Sequence, residues 1–382
     1  VKIMGLAHSP KIVTDGLAFI YDTGSGKSYK GEPTTNLQAS GSAGVHSSAS
    51  GNAVSVTDAS AEKGSGWKKV TITARGTNFR TLQFTYTSMA ANTMYCHSAV
   101  FDWGNMKDKG YLIYFDGNGT GTRAYYRPGD YVNTGSGSIN STMPDGKFAG
   151  TITHTSSHSH AFFIRNYSTG VSGLNDFFYY KDYQVEINSH PTQFTSGTRS
   201  ATQGLLDLTN NATINLSNVS FDSNAQMVFD GTDDYTSLGN PTALRDLTSG
   251  TIETVYYRDA SSGTYQMVFT DAGSDLEITY LGNTLQFYIG NSGLSYTHAV
   301  TDQWFNVVGT WGSGFKKLYI NGVEVASGTN TGTDTGNRDR YVGGRGANFP
   351  FNGEIPIARI YGQALTDEEV LQNYNAFKSR FL

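Results

Sequence analysis

Short strand-like runs, some alternating apolar with polar residues and some continuously apolar, recur along the whole chain: Leu17-Ala-Phe-Ile-Tyr21, Lys69-Val-Thr-Ile-Thr73, Thr81-Leu-Gln-Phe-Thr-Tyr86, Tyr111-Leu-Ile-Tyr-Phe115, Phe177-Phe-Tyr-Tyr180 and Thr284-Leu-Gln-Phe-Tyr-Ile289. A period of two sends neighbouring side chains to opposite faces, and a short apolar run bounded by turn residues suits a strand buried on both, so each run predicts a strand. Clusters of Gly, Asn, Asp and Ser separate the runs. Regular spacing of short strands argues for β-sandwiches or jelly rolls. In Lys317-Leu-Tyr-Ile-Asn-Gly-Val-Glu-Val-Ala326 the central Asn-Gly supplies two residues suited to positive φ and predicts a tight hairpin. One stretch alone has a helical period. It opens at Thr366-Asp-Glu-Glu369, a capping box, after which Val370, Leu371, Tyr374 and Phe377 fall on one face. The pattern therefore predicts an all-β protein with a short C-terminal helix whose apolar stripe docks on a sheet.

At 382 residues the chain exceeds one ordinary core and suits two domains. Charged residues make up 15% of it, well below the roughly 25% usual in soluble domains, so its surface is polar and aromatic rather than ionic. The net charge of −5 gives no basic field, which excludes nucleic acid as a partner. No segment approaches the ~20 apolar residues of a membrane-spanning helix, so membrane insertion is not expected. Cys96 is the single cysteine, and Thr93-Met-Tyr-Cys-His-Ser-Ala-Val-Phe-Asp102 around it reads as a strand interior. With no signal-like apolar core in Val1-Lys-Ile-Met-Gly-Leu-Ala-His-Ser-Pro10, synthesis in a reducing cytoplasm is expected.

The C-terminal half carries, in order, Val228-Phe-Asp-Gly-Thr-Asp-Asp-Tyr235, Trp304-Phe-Asn-Val-Val-Gly-Thr-Trp311, the Asn-Gly hairpin, and Phe351-Asn-Gly-Glu-Ile-Pro-Ile-Ala-Arg-Ile-Tyr361 ahead of the capping box. That order resembles the laminin G-like, concanavalin A-like jelly roll. In such modules the first strand often reads Thr-Asp-Gly-Leu, apolar residues, Asp and a Lys-Ser-Tyr turn, followed directly by Asp-Leu-x-x-Asn. Thr14-Asp-Gly-Leu-Ala-Phe-Ile-Tyr-Asp22 and Lys27-Ser-Tyr29 are similar to that opening, but Leu206-Asp-Leu-Thr-Asn-Asn211 comes only far downstream. The resemblance implies a discontinuous jelly roll, residues 1–31 with 199–382, and a second β-sandwich, 32–198, inserted in one of its loops. Two consecutive domains are the alternative. Within 32–198, Gly66-Trp-Lys-Lys-Val-Thr-Ile-Thr-Ala74, Tyr183-Gln-Val-Glu-Ile187 and Thr192-Gln-Phe-Thr-Ser-Gly-Thr-Arg199 resemble the carbohydrate-binding-module-like sandwiches of bacteriophage structural proteins.

Candidate chemistry is sparse. Glycoside hydrolysis needs paired carboxylates. Asp275-Leu-Glu277 and Glu253 are the nearest, and the Glu-x-Asp-x-Glu strand of concanavalin A-like glycosidases is missing, so Asp275 and Glu277 read as a solvent-facing strand and no catalytic residue is expected. Asp230, Asp233 and Asp234 sit in one turn, where hard oxygen ligands suit Ca²⁺; an Asx-turn in which Asp230 and Asp233 accept local amides is the alternative. His158 and His160 of His154-Thr-Ser-Ser-His-Ser-His160 point the same way on a strand, as transition-metal ligands or as water-facing histidines of a hairpin. Sugar binding would use exposed rings: Trp103, Tyr125 and Tyr126 in the insert, Tyr265, Tyr288 and Tyr296 in the jelly roll, each of which could instead pack in the core. Trp304 and Trp311 read as core.

Together the residues and the resemblance lead to a non-enzymatic structural protein of a bacteriophage virion: a tail fibre, capsid fibre or decoration protein made in the host cytoplasm. Its expected partners are other virion proteins, further copies of itself in a homotrimer, and host-surface glycans. No cofactor is required, Ca²⁺ being the one ion the residues suggest. A secreted bacterial glycan-binding adhesin and a polysaccharide-degrading enzyme are the other readings.

Overall fold

The computed structural model describes residues 11–38, 53–74, 80–85, 90–107, 109, 111–117, 124–128, 141–143, 145–153, 160–166, 173–222, 224–259, 264–334 and 336–381. For 80–85, 111–117, 124–128, 141–143, 152 and 160–166 only the backbone is described. The chain forms two compact units, one from Val1–Pro33 and Ser200–Leu382, the other from Thr34–Arg199.

The first unit is a concanavalin A-like jelly roll of two antiparallel sheets. One sheet orders Ser220–Phe221, Met227–Asp230, Asn352–Tyr361, Gly250–Arg258, Gln303–Gly312, Phe315–Ile320 and Val323–Gly328; Leu17–Asp22 also pairs with Asn352–Tyr361. The other orders Asn215–Ser217, Tyr235–Gly239, Arg340–Val342, Tyr265–Asp271, Leu276–Leu281, Thr284–Ile289 and Ser292–Thr297. Alternation decides what each strand buries. Leu285, Phe287 and Ile289 point inward and are fully buried, while Gln286 and Tyr288 between them face outward. The same parity places Leu276, Ile278 and Tyr280 in the core with Phe19, Tyr21, Tyr256 and Trp311.

Leu17–Asp22 runs antiparallel to the far end of the chain, with Phe19 opposite Ile360 and Asp22 opposite Ile357. The Asp-Leu stretch closes on it. Buried Asp207 accepts the Ile20 amide at 3.1 Å and those of Thr209, Asn211 and Ala212 at 2.9–3.0 Å, and Leu206 N–H donates to Ser28 C=O at 2.8 Å. Such a carboxylate replaces its lost hydration with oriented amides. The Asn-Gly hairpin forms as expected, with Asn321 at φ 51° and Gly322 at φ 77°.

The C-terminal helix, Asp367–Phe381, starts from the capping box: Glu369 N–H donates to Thr366 Oγ1 at 3.3 Å and Thr366 N–H to Glu369 Oε2 at 2.8 Å. Its buried face differs from the one the apolar letters predict. Val370, Asn373 and Phe377 are buried, whereas Leu371 is exposed. The sheet face beneath presents buried Glu253, and Asn373 Nδ2 donates to it at 2.8 Å, so an amide occupies the place a hydrophobic stripe would have filled.

The second unit holds two five-stranded sheets. One orders Gly146–Thr153, Met94–Asp102, Phe177–Ile187, Lys68–Ala74 and Ala53–Asp58; the other orders Arg80–Thr85, His160–Asn166, Tyr111–Gly117, Ala124–Pro128 and Ser141–Met143. Val70, Ile72, Tyr95, Phe101, Trp103, Phe178 and Val185 form its described core. Cys96 lies buried in the strand interior, and burial pushes its thiol up to about 12.

Candidate functional site

The outer face of the jelly roll's second sheet carries a groove of about 420 Å³. Its floor comes from alternate residues of three neighbouring strands: Tyr265 and Met267, then Glu277, then Tyr288. Glu277 and Tyr288 are direct cross-strand partners. Tyr288 can lie flat over the next strand because its neighbour there is Gly293, where a Cβ would come within 2.6 Å of the ring.

A loop from Arg345 to Phe349 forms the opposite wall, closed on itself by Arg345 N–H to Asn348 C=O at 2.8 Å and the reciprocal bond at 3.2 Å. Phe349 C=O accepts the Met267 amide at 3.0 Å, which continues the ladder past the end of the strand pair. Phe349 holds φ 54°, a left-handed conformation unfavourable for a bulky residue, and leaves its ring 38% exposed in T-shaped contact with Tyr265 at 5.8 Å. At the groove's end Ser274 is placed by the turn after Asp271. That carboxylate accepts the Gly273 and Asp275 amides at 2.9 Å, and Arg340, fully buried, holds it at 2.8 Å.

Glu277 is only 4% exposed; its Oε1 accepts Arg345 Nη2 at 2.7 Å and Thr270 Oγ1 at 2.9 Å. The Arg345 guanidinium also lies 5.2 Å from the Phe349 ring centre. The groove's one cation is thus paired with its one anion. Burial, reinforced by the nearby Tyr265 and Glu277, pushes the Tyr288 hydroxyl above its ordinary value, so it stays a protonated donor. Three rings, two of them phenols, an amide at Asn291 and an internally neutralised ion pair offer stacking surfaces and hydrogen bonds without net charge.

Of the rings expected to bind sugar, Tyr265 and Tyr288 meet in this groove. Tyr296 does not. It stands opposite inward-facing Leu285, on the other face of the sheet, and approaches His298. Trp103 corrects the expectation outright. It is 0% exposed, stacked on Phe101 at 4.8 Å and tilted against Phe178, because the bend after Met94–Asp102 turns it into the core. Tyr125 and Tyr126 lie opposite Tyr114 and Ile113, and their side chains fall outside the described residues. His158 and the His160 side chain do so too, although His160 opens a strand opposite Gly117. Arg345 and Phe349 went unread in the sequence; the signal was Gly343-Gly-Arg-Gly346 just ahead of an aromatic pair, a loop able to fold over a sheet edge.

Glu277 corrects a second expectation. It lies on the outer face, yet it is covered and ion-paired rather than solvated. Asp275 pairs with Arg338 at 3.0 Å. Glu253 sits in the other sheet under the C-terminal helix, bound to Arg359 at 3.0 Å and Asn373. The Asp230 turn shows features of both of its readings. Asp230 Oδ1 accepts the Thr232 amide at 2.8 Å in an Asx-turn, and Asp234, not Asp233, takes a second amide, that of Asp230, at 2.7 Å. Carboxylate oxygens of Asp230, Asp233 and Asp234 lie within 4.8 Å of one another, and burial together with the two neighbouring charges raises the Asp234 carboxyl above its usual range.

A lectin-like β-sandwich is the class that this fold defines. Residues 230–371 match the family described as the Concanavalin A-like lectin/glucanases superfamily. Among solved structures, the chain is similar to domain 4 of a GH43 extracellular arabinanase from Geobacillus stearothermophilus in complex with arabinotriose (20% identity, 46% of this chain and 93% of that one, TM-score 0.38). It is also similar to the botulinum neurotoxin serotype D ligand-binding domain in complex with N-acetylneuraminic acid (13% identity, 46% of this chain and 49% of that one, TM-score 0.39). The binding domain of botulinum neurotoxin DC in complex with rat synaptotagmin II is a third (16% identity, 46% of this chain and 50% of that one, TM-score 0.39). The chain spans about half the length of the neurotoxin binding domains it matches. No curated protein matches it. Among the described residues no helix is long and apolar enough to cross a membrane.

Proposed function

We propose that this protein is a non-enzymatic glycan-binding protein whose jelly-roll groove takes a neutral oligosaccharide. The observation that carries the reading is the convergence of Tyr265, Tyr288 and Phe349 around the Glu277–Arg345 pair. Aromatic faces suit the apolar faces of sugar rings, and an ion pair closed on itself leaves no charge that demands an ionic ligand. The setting we infer is a bacteriophage particle, with the chain as a homotrimeric tail fibre, capsid fibre or decoration protein. A charged content of only 15% and a single buried cysteine support it, since a fold without a disulfide needs no oxidising compartment. No cofactor takes part; a calcium ion at Asp230, Asp233 and Asp234 would brace the rim.

A glycan array probed with the wild-type chain and Tyr288→Ala tests the groove. Binding to a neutral glycan is expected, weakened at least about tenfold by the substitution, or ~1.4 kcal/mol. Absence of binding to any neutral glycan overturns the reading, and sustained release of reducing ends from a bound polysaccharide makes the protein an enzyme. Mass spectrometry of purified particles tests the setting.

A further inference from the structure

The unit formed by Thr34–Arg199 has an exposed phenylalanine that its surroundings hold in place. Gln184 and Glu186 lie on one face of Phe177–Ile187, and both are fully buried under the following segment. Glu186 accepts the Thr192 amide at 2.9 Å and the Thr192 hydroxyl at 2.7 Å, Gln184 Oε1 accepts the Thr195 amide at 2.7 Å, and Arg199 donates to Thr192 Oγ1 at 3.0 Å. A fully satisfied buried network of this kind is rigid. Between its two anchors, Thr192 and Thr195, stands Phe194, 42% exposed.

Grooves open on both sides of that ring, one of about 330 Å³ and one of about 140 Å³, and Asp182 lines both. Asp182 is the residue that the ladder's irregularity between Lys181 and Gln184 expels; it holds φ 54°, and bulges of this type re-aim side chains. The larger groove lies over the outward residues Ser98, Val100 and Lys147, the last two being direct cross-strand partners. The charges are uneven. Lys68 pairs with Asp58 at 3.3 Å and Lys181 with Asp182 at 3.9 Å, whereas Lys147 has no carboxylate partner among the described residues.

We propose that this groove is a second saccharide site, specific for sugars that carry a carboxylate. Phe194 stacks on the sugar ring, Lys147 pairs with the acid, and Asp182 and Gln193 take its hydroxyls. The site is independent of the jelly-roll groove and takes acidic rather than neutral sugars.

Isothermal titration of the whole chain with lactose, sialyllactose and trigalacturonic acid tests it, the two acids distinguishing a sialic from a uronic ligand. At least one acid is expected to bind about tenfold or more tighter than lactose, with an affinity that added salt weakens. Phe194→Ala and Lys147→Gln should each remove that preference at an unchanged melting temperature, and Tyr288→Ala should leave it intact. If Phe194→Ala unfolds, Lys147→Gln alone decides. Binding of neither acid overturns the proposal, as does acid binding that Lys147→Gln leaves unchanged. Loss through Tyr288→Ala alone would place the acid in the jelly-roll groove and also overturn it.

Discussion

Glu354 shows what one misplaced charge does in this sandwich. It stands opposite Val228 on one side and Tyr257 on the other, and burial, with the carboxylates of Asp222 and Asp259 adding to it, pushes its carboxyl from 4.5 up to about 7. The folded state therefore binds a proton across that window and the unfolded state does not. Its contribution to stability is full below about 4.5 and is lost as pH rises through about 7. Glu354→Gln mimics the protonated form. It should raise the melting temperature at pH 8 by about 2–4 °C, roughly 1 kcal/mol once solvent screening of a half-buried group is allowed for, and leave it unchanged near pH 4. Differential scanning calorimetry at the two pH values checks this, and an equal shift at both would refute it.

The C-terminal helix is held by polar contacts as much as by apolar ones. Asn373 donates to Glu253 at 2.8 Å and to the Tyr361 hydroxyl at 2.9 Å, and accepts the Val13 amide at 2.7 Å, all in buried surroundings. Asn373→Ala strands the buried Val13 amide and removes one donor from Glu253, which keeps its Arg359 and Asn306 partners, so a loss of about 1–3 kcal/mol is expected. A urea unfolding midpoint measures it. Leu371→Ala, at an exposed position, should cost under about 0.5 kcal/mol. The helix was legible from its capping box because that motif is local. Its buried face was not, because Glu253 lies far away in sequence and only the sheet brings it underneath. The groove follows the same division. Tyr265 and Tyr288 could be picked out by strand alternation, whereas Arg345 and Phe349 reach them through a loop whose position depends on pairing between Arg340–Val342 and Tyr265–Asp271.

At the scale of the whole molecule, the jelly roll depends on two distant stretches of chain. Phe19 and Tyr21 are fully buried in its core, and the strand that carries them pairs with Asn352–Tyr361. The path out of that unit and back into it is narrow. Lys30 N–H donates to Gly204 C=O at 2.8 Å and Tyr29 bridges Leu205, so the segments leading to Pro33 and away from Ser200 lie side by side. Within the other unit, Thr34–Thr35 pairs with Thr198–Arg199. Ends this close allow a segment to be removed without straining what remains. Replacing Thr34–Arg199 with a short Gly-Ser linker should leave a jelly roll that unfolds cooperatively and keeps its neutral-glycan binding. Residues 200–382 alone should not fold, because the sheet then lacks Leu17–Asp22 and the core lacks Phe19 and Tyr21, a deficit of about 3–5 kcal/mol for each large side chain. Circular dichroism melts of the two truncations decide the matter: a cooperative transition in 200–382 alone would show that the first strand is an ornament of the fold and not part of it.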